Sequence, residues 1–208
     1  MDSNTSVVSA KLSCELEVHD SVTSPEYCEY FCGWLQRQTL QHGWKATKEA
    51  QGAFWHRNYV LETKFENHYD SRATGESLTY EKLIQSDTMI AQLAQKMSER
   101  FFDGKPLTRV WVNVQAFGDE ATVHFDFPMQ FKGKARTVVW YPVPEWNADW
   151  GGDFALFDSN KEIIGSAVVK RDRAVVFDGT SMHAARPMSR YCNALRISVA
   201  FGLEDLHA

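Results

Sequence analysis

The chain has 208 residues, 44% of them hydrophobic and 13% aromatic, with a formal net charge of -5. This composition supports one sizeable core and lies far from that of disordered chains, and the length fits a single domain. The acidic balance offers no general attraction to phosphate backbones or anionic lipid, and no stretch approaches the roughly 18 apolar residues that span a bilayer. The N-terminus lacks the basic-then-apolar pattern of an export signal, so we expect a soluble cytoplasmic protein that binds neither nucleic acid nor membrane. Cys14, Cys28, Cys32 and Cys192 fit no disulfide or zinc spacing and read as thiols in a reducing compartment.

Ser24-Pro25-Glu26 opens a helix, with a capping hydroxyl, proline in the first turn and an acid at the positive end of the dipole. Tyr27, Phe31, Trp34 and Leu35 then give it an apolar face, and Gly43 falls in a loop beyond it. Residues 44–80, with Trp44, Phe54, Trp55, His56 and Tyr59, are polar and show no clear period; they read as loops over the mouth of a barrel, where specificity resides. A second helix starts at Asp87, with Ile90, Leu93, Ala94, Met97 and Phe101 on one side. From Thr108 onward, short β-branched and aromatic runs predict strands over 109–117, 121–126, 136–143, 153–157, 173–177 and 195–201. The fold is α+β and mainly β: an antiparallel sandwich or barrel with the N-terminal helices packed on one face. One domain spans 1–208, with a helical, lid-bearing part over 1–107 and the β core over 108–203.

His124-Phe125-Asp126 falls at the end of a predicted strand, where residues i and i+2 share a face, so an imidazole and a carboxylate can hold one ion. His183, after the run 174–177, is the best third ligand. Two histidines and a carboxylate form a facial triad that leaves positions of an octahedral iron open for co-substrate and dioxygen. A lone His-x-Asp arises readily by chance; its weight comes from the ordered context of Gly151-Gly152, His183 and the arginine-bearing strand. His19, His42, His56, His68 and His207 lack partners at ligand spacing and read as structural or surface residues.

Arg196 follows His183 by 13 positions in an otherwise apolar strand, and an arginine there demands a buried anion. Ser198, on the same face, can add a second hydrogen bond to that anion. Arg190, in the polar turn 189–193, is the rival, and its loop setting points to solvent or a substrate contact. Asn113 and Gln115 alternate with Val112 and Val114 and are placed to orient co-substrate or substrate, while Tyr141 offers a phenol.

These residues resemble the 2-oxoglutarate/iron(II) dioxygenases, within them the prolyl 4-hydroxylase-like branch, whose core is a double-stranded β-helix of jelly-roll or cupin-like form. The resemblance covers 109–203 and rests on the His-x-Asp triplet, the segment 141–146 followed by Gly151-Gly152-Asp153, Val176-Phe177-Asp178-Gly179 before His183, and Arg196-Ile197-Ser198. It implies Fe(II) held by His124, Asp126 and His183, 2-oxoglutarate clamped by Arg196 with Tyr141 as a second contact, and O2 as oxidant. Hydroxylation of a C–H bond, coupled to decarboxylation of 2-oxoglutarate to succinate and CO2, is the implied reaction of this oxidoreductase. Asp126 argues against the halogenases that resemble the family, which carry a small residue in place of the carboxylate. With no recognisable peptide-binding repeat, a small-molecule substrate such as an amino acid is favoured over a peptide, as for a prolyl-hydroxylase-like enzyme. A nucleic-acid demethylase is disfavoured by the acidic charge. A cupin-like metal-binding module without catalysis has no need of a buried Arg196, and the intact triad speaks against a decayed oxygenase.

Overall fold

The computed structural model describes residues 16–45, 47, 50, 52–62, 77–119 and 121–204. After β1 (Leu16–His19), helix α1 (Pro25–Leu35) starts as its capping residues dictate, with the Ser24 side chain accepting the Tyr27 amide. Its Phe31 and Leu35 are buried and Tyr27 and Trp34 half-buried, so the aromatic stripe faces inward. Two strands, β2 (Gln41–Trp44) and β3 (Phe54–Leu61), lead to the short α2 (Tyr80–Ile84) and to α3 (Met89–Phe101). The cap of α3 is Thr88 rather than a residue at 87, and Ile90, Leu93, Ala94, Met97 and Phe101 are all buried.

The remaining strands are β4 (Arg109–Gln115), β5 (Arg136–Tyr141), β6 (Phe154–Phe157), β7 (Ile163–Ala167), β8 (Arg173–Asp178), β9 (Met182–Ala185) and β10 (Arg196–Leu203). They form a seven-stranded sheet, β1-β8-β5-β10-β4-β3-β2, and a three-stranded sheet, β7-β6-β9. Every strand pair is antiparallel, and the architecture is that of a double-stranded β-helix. Alternation divides the large sheet into two faces. Val110, Val112, Val138, Trp140, Val199 and Phe201 pack against the helices in one continuous core. Each such side chain, fully buried, contributes about 1.5–3 kcal/mol before entropy is counted. The residues between them, including Arg109, Trp111, Asn113, Gln115, Tyr141, Arg196, Ser198 and Ala200, line a cavity on the other face.

The structure corrects the sequence reading in two places. Residues 121–126 are not a strand: only His124 forms an isolated bridge, to His183, while the amides of Asp126 and Phe127 both donate to Gly179 O. The chain there is a loop stitched across the β8–β9 turn. The described part of 44–80 is not a set of loops, because β3 pairs along β4 and β2 extends the large sheet beyond it, with Gly43 inside β2. Residues 46, 48, 49, 51 and 63–76, and with them the expected lid around Gly75, lie outside the described residues, as do Cys14, His68 and His207.

Candidate metal centre and adjoining cavity

His124 and Asp126 are brought to His183 by backbone pairing. The His124 amide donates to His183 O at 3.0 Å and the His183 amide to His124 O at 2.8 Å, while β9 holds His183 opposite Leu156 of β6. The side chains converge: Asp126 Oδ1 lies 3.9 Å from His124 Nε2, and Asp126 Oδ2 lies 3.6 Å from His183 Nε2. One ligand atom from each residue falls within 4.8 Å of the others.

The surroundings fix which atoms face the ion. His124 Nδ1 donates to Thr122 O at 2.8 Å and His183 Nδ1 to Ser181 O at 2.9 Å, so each ring turns the lone pair of Nε2 toward Asp126. Thr137 Oγ1 donates to Asp126 Oδ2 at 2.9 Å and orients the carboxylate. Burial, then the neighbouring His183, pushes the His124 imidazole down to about 4, which keeps it neutral. Burial alone would raise the Asp126 carboxyl, but His183, Arg109 and His124 outweigh it and hold the group ionised. Two imidazoles and one carboxylate, each braced by a further hydrogen bond, suit a divalent cation of the iron type. Gly179 makes the stitching possible: a Cβ there would stand 2.4 Å from Phe127 Cδ2 and 2.9 Å from Thr137 Oγ1.

At the other end of the cavity, Arg196 is buried. Its Nε donates to Gly152 O at 2.8 Å, Nη1 to Gln115 Oε1 at 2.8 Å and Nη2 to Tyr141 OH at 3.2 Å. All three partners are neutral, and Arg196 makes no ion pair among the described residues. A guanidinium has five N–H donors, so two remain for a ligand, and the Tyr141 hydroxyl, accepting from Arg196, keeps its own proton to donate. Burial raises the Tyr141 phenol against the pull of Arg196, so it stays protonated. Arg190, by contrast, is exposed and donates to the hydroxyl of its neighbour Tyr191 at 3.1 Å.

The cavity measures about 690 Å³ including its open mouth and contains His124, Asp126, His183, Arg196, Tyr141, Ser198, Asn113 and Gln115. Sequence reasoning missed other members of its wall. Arg109 and Trp111 continue the period-2 row of Asn113 and Gln115, a signal that could have found them. Trp44 and Phe54 had no such signal, and His56, read as structural or surface, is buried against Trp44 with ring planes 8° apart.

Residues 110–201 match the 2OG-Fe(II) oxygenase superfamily. No curated protein sequence matches the chain significantly. Among solved structures, the fold is similar to a Pseudomonas putida prolyl-4-hydroxylase at 13% identity, with a TM-score of 0.58 over 91% of this chain and 92% of that one. A Trichoplax adhaerens prolyl hydroxylase, solved with a peptide of the hypoxia inducible factor oxygen degradation domain, aligns at 16% identity and a TM-score of 0.56, covering 93% and 84%. HygX of Streptomyces hygroscopicus, solved with nickel and 2-oxoglutarate bound, aligns at 11% identity and a TM-score of 0.58, covering 90% and 82%.

Proposed function

We propose that this chain is a 2OG-Fe(II) oxygenase that holds Fe(II) with His124, Asp126 and His183, grips the distal carboxylate of 2-oxoglutarate with Arg196, and hydroxylates a C–H bond of a small molecule such as an amino acid. One observation carries the reading. A buried guanidinium that hydrogen-bonds no carboxylate among the described residues, with Asp153 only in its electrostatic neighbourhood, closes one end of a cavity whose other end is a His-Asp-His cluster. A binding module has no use for that cation, and an isolated buried charge is costly unless a ligand completes it.

When bound, Fe(II) with 2-oxoglutarate and O2 supplies the oxidising chemistry that turns C–H into C–OH as 2-oxoglutarate is split to succinate and CO2. The protein's part is binding and orientation. Arg196, held by Gln115, Gly152 O and Tyr141, presents its remaining N–H groups as a fork to a carboxylate, and Ser198 stands one residue pair nearer the triad on the same face. Thr137 and the two backbone carbonyls keep the three ligands aimed at one point. Trp44, Phe54 and Trp111 line the cavity with apolar surface that excludes water from the reacting carbon.

Among the described residues no helix is long and apolar enough to cross a membrane. Buried free thiols at Cys28, Cys32 and Cys192 suit the reducing cytoplasm, and the acidic charge suits a partner other than nucleic acid. The test is an anaerobic titration of the apoprotein with Fe(II) and 2-oxoglutarate, read by the weak visible charge-transfer band of a chelated keto acid, beside His183→Ala. The band is expected in the wild type alone, followed by succinate release that identifies the substrate in a screen of amino acids. Failure of both ligands to bind would overturn the reading.

A further inference from the structure

Paired evenly with β3, strand β2 would turn Trp44 away from the cavity. Gln41 stands opposite His56 and His42 opposite Trp55, so in even register Gly43 would meet Phe54 and Trp44 would share the outer face of His42. The register instead slips by one residue between His42 and Trp44, and Trp44 stands opposite Phe54, which lines the cavity. Gly43 takes up the extra residue at φ +117°, where side chains are rarely tolerated. The bulge therefore re-aims one tryptophan from the outer face to the cavity face.

Beneath that tryptophan lies a fixed flat ring. His56, two residues beyond Phe54 on the same face, stacks on Trp44 with centroids 4.0 Å apart and planes at 8°. The imidazole is itself pinned: Asn113 Oδ1 lies 2.6 Å from Nδ1, and Asn58 makes a second, looser hydrogen bond to the ring. Burial pushes the imidazole down to about 4 against both bonds, so at neutral pH it is uncharged. His56 and Asn58 are buried and do not reach the cavity, whereas Trp44 does. One face of the indole is thus occupied by a neutral ring, and the rest of it borders the cavity beside Phe54.

The lining narrows what such a surface takes. Trp111 and Phe125 add further aromatic wall. Among the described residues Asp126 is the one carboxylate that lines the cavity, and it belongs to the candidate metal centre. The other charged side chains of the lining, Arg109 and Arg196, are cations. A cationic group pressed against this wall would be desolvated without a counter-ion, a cost that a neutral or anionic ring does not meet.

Resting on the function proposed above, we infer that the face of Trp44 turned away from His56 is the stacking platform for the substrate, a planar aromatic molecule that is neutral or anionic where it meets the wall, and that His56 is a positioning residue which keeps the platform flat. An aromatic amino acid fits with its ring inward and its ammonium in the open mouth. Stacking on the indole rewards a flat π-system over a saturated ring of the same size.

The experiment compares benzoate with cyclohexanecarboxylate and benzylamine by NMR titration of the full chain. The protein is loaded with zinc(II), which prevents turnover, and with saturating 2-oxoglutarate, which occupies Arg196. Benzoate is expected to bind about twofold to tenfold more tightly than cyclohexanecarboxylate. Benzylamine should bind about tenfold or more weakly than benzoate. Trp44→Leu should bring benzoate and cyclohexanecarboxylate level. His56→Leu should lower their ratio, and His56→Phe, which keeps a flat ring under the indole, should restore it. Zinc and 2-oxoglutarate affinities should stay at the wild-type values in all three variants. A ratio unmoved by Trp44→Leu, or wild-type protein that binds zinc and 2-oxoglutarate but does not prefer benzoate, overturns the platform. A His56 that serves only the fold would lower the thermal midpoint and leave the ratio unchanged, which overturns its positioning role. Benzylamine that binds as tightly as benzoate overturns the charge class. Wild-type protein that binds neither zinc nor 2-oxoglutarate overturns the functional reading instead. If Trp44→Leu does not fold, intermolecular NOEs in the wild type decide: contacts from benzoate to the Trp44 indole support the inference, and contacts to Trp111 or Phe125 alone overturn it.

Discussion

Replacing Arg196 by methionine separates what the arginine does for the ligand from what it does for the fold. In the unliganded protein the change leaves Gln115 Oε1, Tyr141 OH and Gly152 O without their donor, at about 1–3 kcal/mol for each group that water cannot reach. It also removes a buried cation that hydrogen-bonds no carboxylate among the described residues and has only Asp153 in its electrostatic neighbourhood, and whose desolvation costs several kcal/mol. The two effects offset, and the unliganded thermal midpoint should move little. The liganded protein should behave differently. At 2-oxoglutarate about 100 times its wild-type dissociation constant, ligation stabilises by about 2.7 kcal/mol. For a domain of this size that raises the midpoint by roughly 5–10 °C. Losing one partner of a buried, hydrogen-bonded charge pair costs about 2–5 kcal/mol of binding. The same concentration should then raise the variant's midpoint by about 3 °C or less. Thermal unfolding of nickel-loaded protein with and without 2-oxoglutarate reads both quantities, and Arg190→Met, on the exposed turn, should keep the full rise. An Arg196→Met protein that binds nickel and still shows the wild-type rise would refute the assignment of this end of the cavity.

Three further perturbations follow from the same contacts. Thr137→Ala frees Asp126 Oδ2 and should weaken metal binding about 10-fold to 100-fold, measured by competition with a chelator, while the fold survives. Gly179→Ala places a Cβ 2.4 Å from Phe127 Cδ2 and should cost about 1–3 kcal/mol in denaturant unfolding, with metal affinity falling as the 124–127 loop is displaced. Asp20 pairs with Arg173 and Lys170 and ties the end of β1 to β8, and hydrogen bonds from those cations hold its carboxyl well below its ordinary 3.8. A depressed carboxyl stabilises above its unfolded value and loses that contribution as pH falls through the folded one. The midpoints of wild type and Asp20→Asn should therefore differ at neutral pH and converge in acid below about pH 4. An unchanged gap down to about pH 2 would show that the pair does not titrate with folding.

The parts of the molecule that were legible in the sequence are those whose signal is local. Ser24-Pro25 and the stripe from Tyr27 to Leu35 announce α1 because cap and period both lie within a few residues of one another. β4, β5, β8 and β10 each bury most of their side chains and so read as dense apolar runs. β2 and β7 bury one residue apiece, and their pairing comes from hydrogen bonds to distant partners, so composition hid them. Loop 121–126 misled in the opposite direction: its Val123 and Phe125 look strand-like, but Phe125 is exposed and the backbone is held by Gly179. The triad could be named from residue type and order alone. Thr137 and the His56–Asn113 pair could not, since they meet across 11 and 57 positions and nothing but the folded sheet brings them together.

The cavity floor is written in the pleat of β4 and β10, with every second residue turned to the ligand and the rest to the helices. This makes the site sensitive to chain length in a way that it is not to side-chain size. Deleting one residue between β9 and β10 without a compensating shift would turn Arg196 and Ser198 into the helix-facing core and bring Leu195 and Ile197 into the cavity. Deleting two would keep the facing and carry the guanidinium about 6.8 Å along the strand, to match a ligand of a different length. Change in the span of the bound acid is therefore expected to arise by insertions and deletions in pairs, whereas single-residue length changes should be confined to the connections away from these two strands.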